Sequence, residues 1–151
     1  DPRKKFAEEL KAHLGDKGTI VIYNQSFEQR ILDELAEFLP QYRKWIDSLT
    51  ERMVDLLQPF RDFYYYNPKQ GGSASMKVVL PAITGETYEK LEIGEGMSAS
   101  LAYLYITHGA ADGRKATPEE IKKTRANLEI YCGLDTEGMT WIIEKLRKIS
   151  E

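Results

Sequence analysis

The sequence predicts a helix-dominated α/β fold, and three patterns support this. Thr19–Tyr23 is a β-branched and aromatic run without alternation, as expected for a strand covered on both faces. Helical patterns flank this run, over residues 6–14 and from Ser26 onward. Over Asn127–Ile149, apolar residues recur in steps of three, four and seven, which is typical of an amphipathic helix. Helix, strand and helix in this order indicate part of an α/β sandwich.

The first half of the chain is predicted to continue with helices. Ser26 and Gln29 have the spacing of a capping box, so a second helix should begin there. Tyr42–Thr50 is predicted to be helical, and Met53–Leu57 is predicted to be either a short strand or a helix start. The second helix should turn an apolar stripe toward the core, made of Phe27, Ile31, Leu35 and Phe38.

The second half is predicted to be a loop followed by helices. Asn67–Ser75 has the Gly, Ser and Pro content of a flexible polar loop. A helix or turn over Ser75–Leu80 should stop near Pro81, and Met97–Thr107 should be helical. Thr117 precedes Pro and two Glu residues, which predicts a strong helix start.

The composition indicates one domain or domain fragment over residues 1–151. The 21 basic and 24 acidic residues give a net charge of −3, so the overall charge does not predict nucleic-acid binding. A nuclease cleft, however, needs only local basic groups. The single cysteine and two histidines argue against a disulfide framework or a Cys/His zinc site, and they favour a reducing compartment. Because no apolar run in the sequence is long enough to span a membrane, we predict a cytoplasmic protein.

The first candidate site lies where the predicted strand ends. Asn24, Phe27 and Glu28 follow it directly, and ligands bind at the carboxyl ends of strands in open α/β sheets. A carboxylate such as Glu28 could act in such a site. The alternative is that Glu28 is a surface acid that stabilises the start of a helix.

The second candidate is the pair Tyr131 and Asp135. They lie one helical turn apart, and Asp135 falls where the stripe calls for an apolar residue. A carboxylate that points inward must be paired, hydrogen-bonded or bound to a metal. The alternatives are a core tyrosine beside a satisfied aspartate, or an aspartate that caps or kinks a helix broken at Gly133 or Gly138.

Two further segments could bind a ligand. The loop Gly71–Gly72–Ser73 leads to Lys77 and could approach phosphates, although it lacks the Walker spacing and could equally be a mobile surface loop. The aromatic residues could stack unpaired bases or could belong to the core or an interface; they are Phe60, Phe63, Tyr64, Tyr65 and Tyr66.

The order of these motifs resembles the DEDD-type 3′–5′ exonucleases of the ribonuclease H-like fold, in their tyrosine subclass. Tyr131 and Asp135 match the third motif of those enzymes, and Asn24, Phe27 and Glu28 approximate the second. Almost the whole chain is also similar to a bacterial domain family of unknown function found C-terminal to RecB-like nuclease regions, through phrases such as VIYNQSFE, MVDLLQPF and YCGLDTEGM.

The exonuclease resemblance implies a set of roles. Glu28 and Asp135 would hold Mg²⁺ or Mn²⁺, and Tyr131 would orient the attacking water. Lys77 and the loop ending at Ser75 would contact phosphate. Asn24 and Phe27 would contact the substrate.

Two departures qualify these roles. Glu28 stands where those enzymes usually have aspartate. Their first motif, Asp-x-Glu, is missing from this chain and would lie upstream of Phe6, so Glu28 and Asp135 would supply about half of a two-metal site. The opening without Met predicts a chain cut from a longer protein.

The predicted function is therefore part of a metal-dependent 3′–5′ exonuclease, inactive as the isolated fragment and acting on a single-stranded end of DNA or RNA. The alternative is a non-catalytic nucleic-acid- or protein-binding module on the same fold. A third possibility, a small-molecule binder that uses the aromatic cluster, has no specific motif behind it. Because most strands of such a sheet are missing, an exposed edge is expected to favour a homodimer.

Overall fold

The computed structural model describes all residues, 1–151, as two compact units, Asp1–Tyr66 and Asn67–Glu151. Helices dominate the chain and the only sheet has two strands, which confirms the helix-rich α/β prediction. None of the helices combines the length and apolar character that a membrane crossing requires.

The first unit contains the sheet. Its elements are α1 (Arg3–Leu14), β1 (Ile20–Ile22), α2 (Gln25–Phe38), α3 (Arg43–Thr50), β2 (Met53–Asp55) and α4 (Gln58–Arg61), with a 3₁₀ turn at Pro40–Tyr42. The two strands are parallel, with Ile20 opposite Met53 and Ile22 opposite Asp55. Their carboxyl ends therefore lie at one edge of the sheet, and the residues that follow Ile22 and Asp55 meet there.

The apolar stripe of α2 differs from the prediction. Leu32, Leu35 and Ala36 are buried in the core of the first unit, while Phe27 is 50% exposed and Phe38 47% exposed. The helical period and the burial of Leu35 are confirmed, but Leu32 and Ala36, which also follow helical spacing, complete the buried face. The large aromatic side chains of Phe27 and Phe38 led to the wrong choice of buried face.

The predicted capping box of α2 is also wrong. The helix begins at Gln25, so Ser26 lies inside it and cannot be its cap. Asn24 precedes the helix in the left-handed region, with φ of 78°, and its side-chain oxygen accepts a hydrogen bond from the Ser26 hydroxyl at 2.8 Å. The first amides of α2 consequently need another acceptor.

Arg52 connects the start of β2 to the end of α1. Its guanidinium donates to the carbonyl oxygens of Leu14 at 2.9 Å, Gly15 at 2.8 Å, Lys17 at 2.7 Å and Gly18 at 2.9 Å. Carbonyls at a helix C-terminus lack partners within the helix. One side chain thus satisfies the end of α1 and the loop that leads into β1.

The second unit is built from helices. They are α5 (Met76–Thr84), α6 (Gly96–His108) and α7 (Pro118–Ser150), with a 3₁₀ turn at Pro68–Gln70. The prediction that a helix stops near Pro81 is wrong, because α5 continues through this residue to Thr84. Val79 and Leu80 are fully buried, so packing of α5 outweighs the hydrogen bond that proline removes.

Helix α7 runs unbroken for 33 residues. Its predicted start is confirmed, because the Thr117 hydroxyl accepts from the Glu120 amide at 3.2 Å and the Glu120 carboxylate accepts from the Thr117 amide at 2.8 Å. Gly138 does not break the helix: a Cβ there would lie 2.8 Å from the end of Met76, so glycine permits close packing of α5. The idea that Asp135 caps or kinks a broken helix is therefore wrong.

Candidate functional site

Asp55 organises the carboxyl edge of the parallel strands in the first unit. This buried carboxylate, only 8% exposed, accepts hydrogen bonds from the backbone amides of Asn24 at 2.9 Å, Gln25 at 3.0 Å and Leu57 at 2.9 Å. It supplies the acceptor that the start of α2 lacks in its own sequence. The exit of β1, the start of α2 and the exit of β2 are consequently held by one side chain.

A cleft of about 380 Å³ lies at this edge, and the residues that line it are all polar or charged. Arg61 is its one cationic side chain and Asp55 its one carboxylate. The cleft is lined by Gln25, Ser26, Gln29, Thr50, Asp55, Gln58 and Arg61. A recess lined by polar and charged residues at the carboxyl ends of parallel strands has the position at which open α/β sheets bind ligands.

The second-motif candidates surround this edge without lining the cleft. Asn24 is engaged with Ser26, and the Phe27 ring faces the Arg30 guanidinium at 5.3 Å. Glu28 is half-buried in the first turn of α2, and burial raises the pKa of its carboxyl. The half-buried position disfavours a charged Glu28 unless a cation or donor approaches it.

Tyr23 leads from β1 to this site. The pKa of its half-buried phenol is raised, mainly by burial and further by the negative charge of Asp55. The phenol consequently keeps its proton at neutral pH and remains a hydrogen-bond donor.

Asp135 occupies a separate polar site in the second unit. Its Oδ1 accepts a hydrogen bond from the Tyr88 hydroxyl at 2.6 Å, and Tyr88 is buried. Tyr131, one turn earlier on α7, brings its ring within 6.1 Å of the Tyr88 ring. Burial, and then the charge of Asp135, raise the pKa of Tyr131 to about 12. Asp135 thus accepts from the Tyr88 hydroxyl and lies beside the phenol of Tyr131, which keeps its proton at neutral pH.

Ser75 and Lys77 also lie in the second unit. Ser75 precedes the first residue of α5, and its amide donates to the Ser73 hydroxyl at 3.2 Å. Lys77 is half-buried in the first turn of the same helix. The predicted site residues are therefore divided, with Asn24, Phe27 and Glu28 in the first unit and Ser75, Lys77, Tyr131 and Asp135 in the second.

The carboxylates of each unit do not fit a metal-binding set. Neither unit contains a group of three or more His, Cys, Asp or Glu side chains that could hold a metal ion. Asp135 is engaged by Tyr88, and Asp55 by backbone amides. Within each unit these carboxylates therefore do not make up a metal site.

Sequence reasoning missed the residues that line the cleft, Arg61 among them, and the two central residues Asp55 and Tyr88. Asp55 could have been found as the one charged residue in the otherwise apolar run Met53–Leu57, at the end of a strand. Tyr88 lies in the irregular stretch between α5 and α6, and no local pattern singles it out.

The first half of the chain matches a known family. Residues 1–75 match the model of a family described as "Domain of unknown function (DUF2779)". The chain is also 30% identical over 123 residues to "Uncharacterized protein UU173" of Ureaplasma parvum serovar 3 (strain ATCC 700970), an alignment covering 64% of this chain and 17% of that protein. The chain thus spans less than a fifth of this relative's length. No solved structure matches significantly.

Proposed function

We propose that this chain contributes a nucleic-acid-binding part to a larger metal-dependent 3′–5′ exonuclease of the ribonuclease H-like class. The observation that carries the proposal is the polar cleft at the carboxyl ends of β1 and β2, held in shape by Asp55. A ligand in that cleft would meet amide side chains and the Arg61 guanidinium. Such groups can contact bases and phosphates.

In this proposal the carboxylates of Glu28 and Asp135 serve the reaction only in the intact protein. Mg²⁺ or Mn²⁺ would supply charge stabilisation there, held by ligands from outside residues 1–151, and Glu28 and Asp135 would act as outer-shell partners. Tyr131, with a pKa of about 12, stays protonated at neutral pH. It can therefore orient a water or a phosphate oxygen by hydrogen bonding, but it cannot act as a general base.

The test is release of nucleotides from 3′-labelled single-stranded DNA and RNA in the presence of Mn²⁺. We expect release by the intact parent protein and little or none by the 151-residue chain. In the parent, Asp135→Ala and Glu28→Gln should each reduce the rate by about 10- to 100-fold, which is the cost of losing an outer-shell partner. Unchanged release by folded Asp135→Ala parent protein would refute the assignment.

A second candidate is a non-catalytic binding module, and the Tyr88–Asp135 hydrogen bond favours it. A carboxylate that already accepts a short bond from a buried phenol has a structural partner without any cation. In this case the parent protein would bind the labelled strand but release no nucleotide with Mg²⁺ or Mn²⁺. Asp135→Asn would then weaken folding and leave binding by the first unit intact.

A homodimer through the sheet edge is a further part of the proposal. In a two-stranded sheet, each strand has one side without a strand neighbour, and Val54 of β2 is 53% exposed. Light scattering of the 151-residue chain should then give the mass of a dimer, and Val54→Lys should give that of a monomer. A monomeric wild-type chain at high concentration would refute this part alone.

A further inference from the structure

We infer that the aromatic turn, Phe63–Tyr66, is a stacking surface for the bases of single-stranded nucleic acid. It follows directly after α4, the helix that lines the polar cleft with Gln58 and Arg61. The inference rests on the proposed function and adds to it the contact that would distinguish a strand carrying bases from a bare phosphate backbone.

The inner half of the aromatic turn is fixed by packing. Phe60 is buried, and its ring meets the ring of Tyr65 edge-on, with centroids 6.0 Å apart at 87°. The Tyr65 amide also donates to the Pro59 carbonyl at 3.0 Å. These two contacts hold the turn against α4, so the remaining aromatic side chains are presented from a rigid support.

The outer half of the aromatic turn faces solvent. Phe63 is 65% exposed and Tyr64 is 83% exposed, while Phe63 and Tyr66 lie with ring centroids 5.7 Å apart. Phe63 has φ of 58°, a left-handed conformation that is unusual for a bulky residue and costs about 1–3 kcal/mol. Most of the Phe63 and Tyr64 surface lies outside the core of the first unit, where a stacked base would cover it.

The charges beside the aromatic turn favour bases over phosphates as the main contact. Arg61 Nε lies 3.4 Å from the Asp62 carboxylate, which offsets part of its charge. Gln25 and Gln58 contribute neutral amides to the cleft, and amides can bond to base edges. A strand bound here would therefore be held mainly by stacking, which tolerates any base sequence.

The experiment compares two fluorescent strands of equal length and charge, one carrying bases and one abasic, by anisotropy with the 151-residue chain. We expect the base-bearing strand to bind at least about 5-fold more tightly. Tyr64→Ala should weaken its binding by about 5- to 150-fold, because stacking of one base on one aromatic residue contributes about 1–3 kcal/mol. Tyr64→Phe should bind like the wild type. The control is Tyr103→Ala, which removes a 46%-exposed tyrosine from α6.

The outcomes separate this inference from the proposed function. If both strands bind equally, or if Tyr64→Ala leaves the affinity unchanged, the stacking surface is refuted while nucleic-acid binding stands. If neither strand binds, both are refuted, and a protein becomes the partner expected at the aromatic turn. Tighter binding of the base-bearing strand, lost in Tyr64→Ala and kept in Tyr64→Phe and Tyr103→Ala, would establish the inference.

Discussion

Asp55 and Asp135 are both carboxylates that accept hydrogen bonds within their own unit, but the donors differ. Asp55 accepts from three backbone amides, so its hydrogen-bond donors belong to the backbone itself. Asp135 accepts from the Tyr88 hydroxyl, which belongs to a side chain that can rotate or be replaced. The difference implies that Asp55 determines where the backbone runs, whereas Asp135 determines how two packed segments of the second unit meet.

The largest effect is expected from Asp55→Ala. It would leave three amides without an acceptor near the buried edge of the sheet, at a cost of about 1–3 kcal/mol for each unsatisfied group. We expect a loss of about 3 kcal/mol or more in the free energy of unfolding, measured by urea denaturation. Asp55→Asn keeps one acceptor oxygen and should lose less.

Asp16→Ala is the matched control, because Asp16 is exposed in the loop after α1. Its effect should stay within about 0.5 kcal/mol. If Asp135→Ala lowered the free energy of unfolding more than Asp55→Ala, the proposed difference between backbone and side-chain donors would be refuted.

A smaller effect is expected from Tyr88→Phe. The variant removes the donor but keeps the ring, and a hydrogen bond to a charged group contributes about 1.5–3 kcal/mol. Combining it with Asp135→Ala, which removes the acceptor, in a double-mutant cycle should give a coupling energy of about 1–2 kcal/mol. Additive effects of the two changes would show that the bond contributes nothing to stability.

Glu28→Gln extends the comparison to a carboxylate whose pKa is raised by burial. In the folded state this group keeps its proton to higher pH than in the unfolded state, so the wild type loses stability as pH rises through the raised pKa. Glu28→Gln should therefore be more stable than the wild type at pH 7, by less than about 1 kcal/mol because solvent screens a half-buried group.

The advantage of Glu28→Gln should vanish below the ordinary glutamate pKa, where both states of the wild type are protonated. Thermal unfolding of both proteins at pH 4 and pH 7 measures this difference. A variant that is less stable than the wild type at pH 7 would instead show that a cation or a donor stabilises the Glu28 carboxylate.

The smallest effect at neutral pH is expected from the titration of Tyr131. Its pKa is raised from 10.0 to about 12, so its contribution to stability is complete below pH 10 and declines as pH rises toward 12. Tyrosinate absorbance of the wild type minus that of Tyr131→Phe should show a midpoint near pH 12. A midpoint near 10 would mean that Asp135 and burial do not act on this phenol.

The sequence predicted those parts of the fold whose signals are local. The Thr117–Glu120 capping box and the strand around Val21 depend on neighbouring residues, and both appear in the structure. The core face of α2 was mistaken because Phe27 and Leu32 are both apolar, and only packing against other elements chooses between them.

For the candidate site, too, the sequence predicted only what depends on neighbouring residues. Tyr131 and Asp135 were found together because one helical turn joins them. Asp55 accepts from Asn24 and Gln25 across about thirty positions of the chain. Such a pairing follows from the register of β1 and β2, which no local pattern contains.

The guanidinium of Arg52 has a consequence for proteolysis. The loop between α1 and β1 is exposed and contains Lys17, a residue after which trypsin cuts. Proteases need an extended, accessible backbone, yet Arg52 holds the carbonyls of Gly15, Lys17 and Gly18 in a closed loop. Cleavage after Lys17 should therefore be slow while β2 is in place, and the rate of cutting there would report how often the first unit opens.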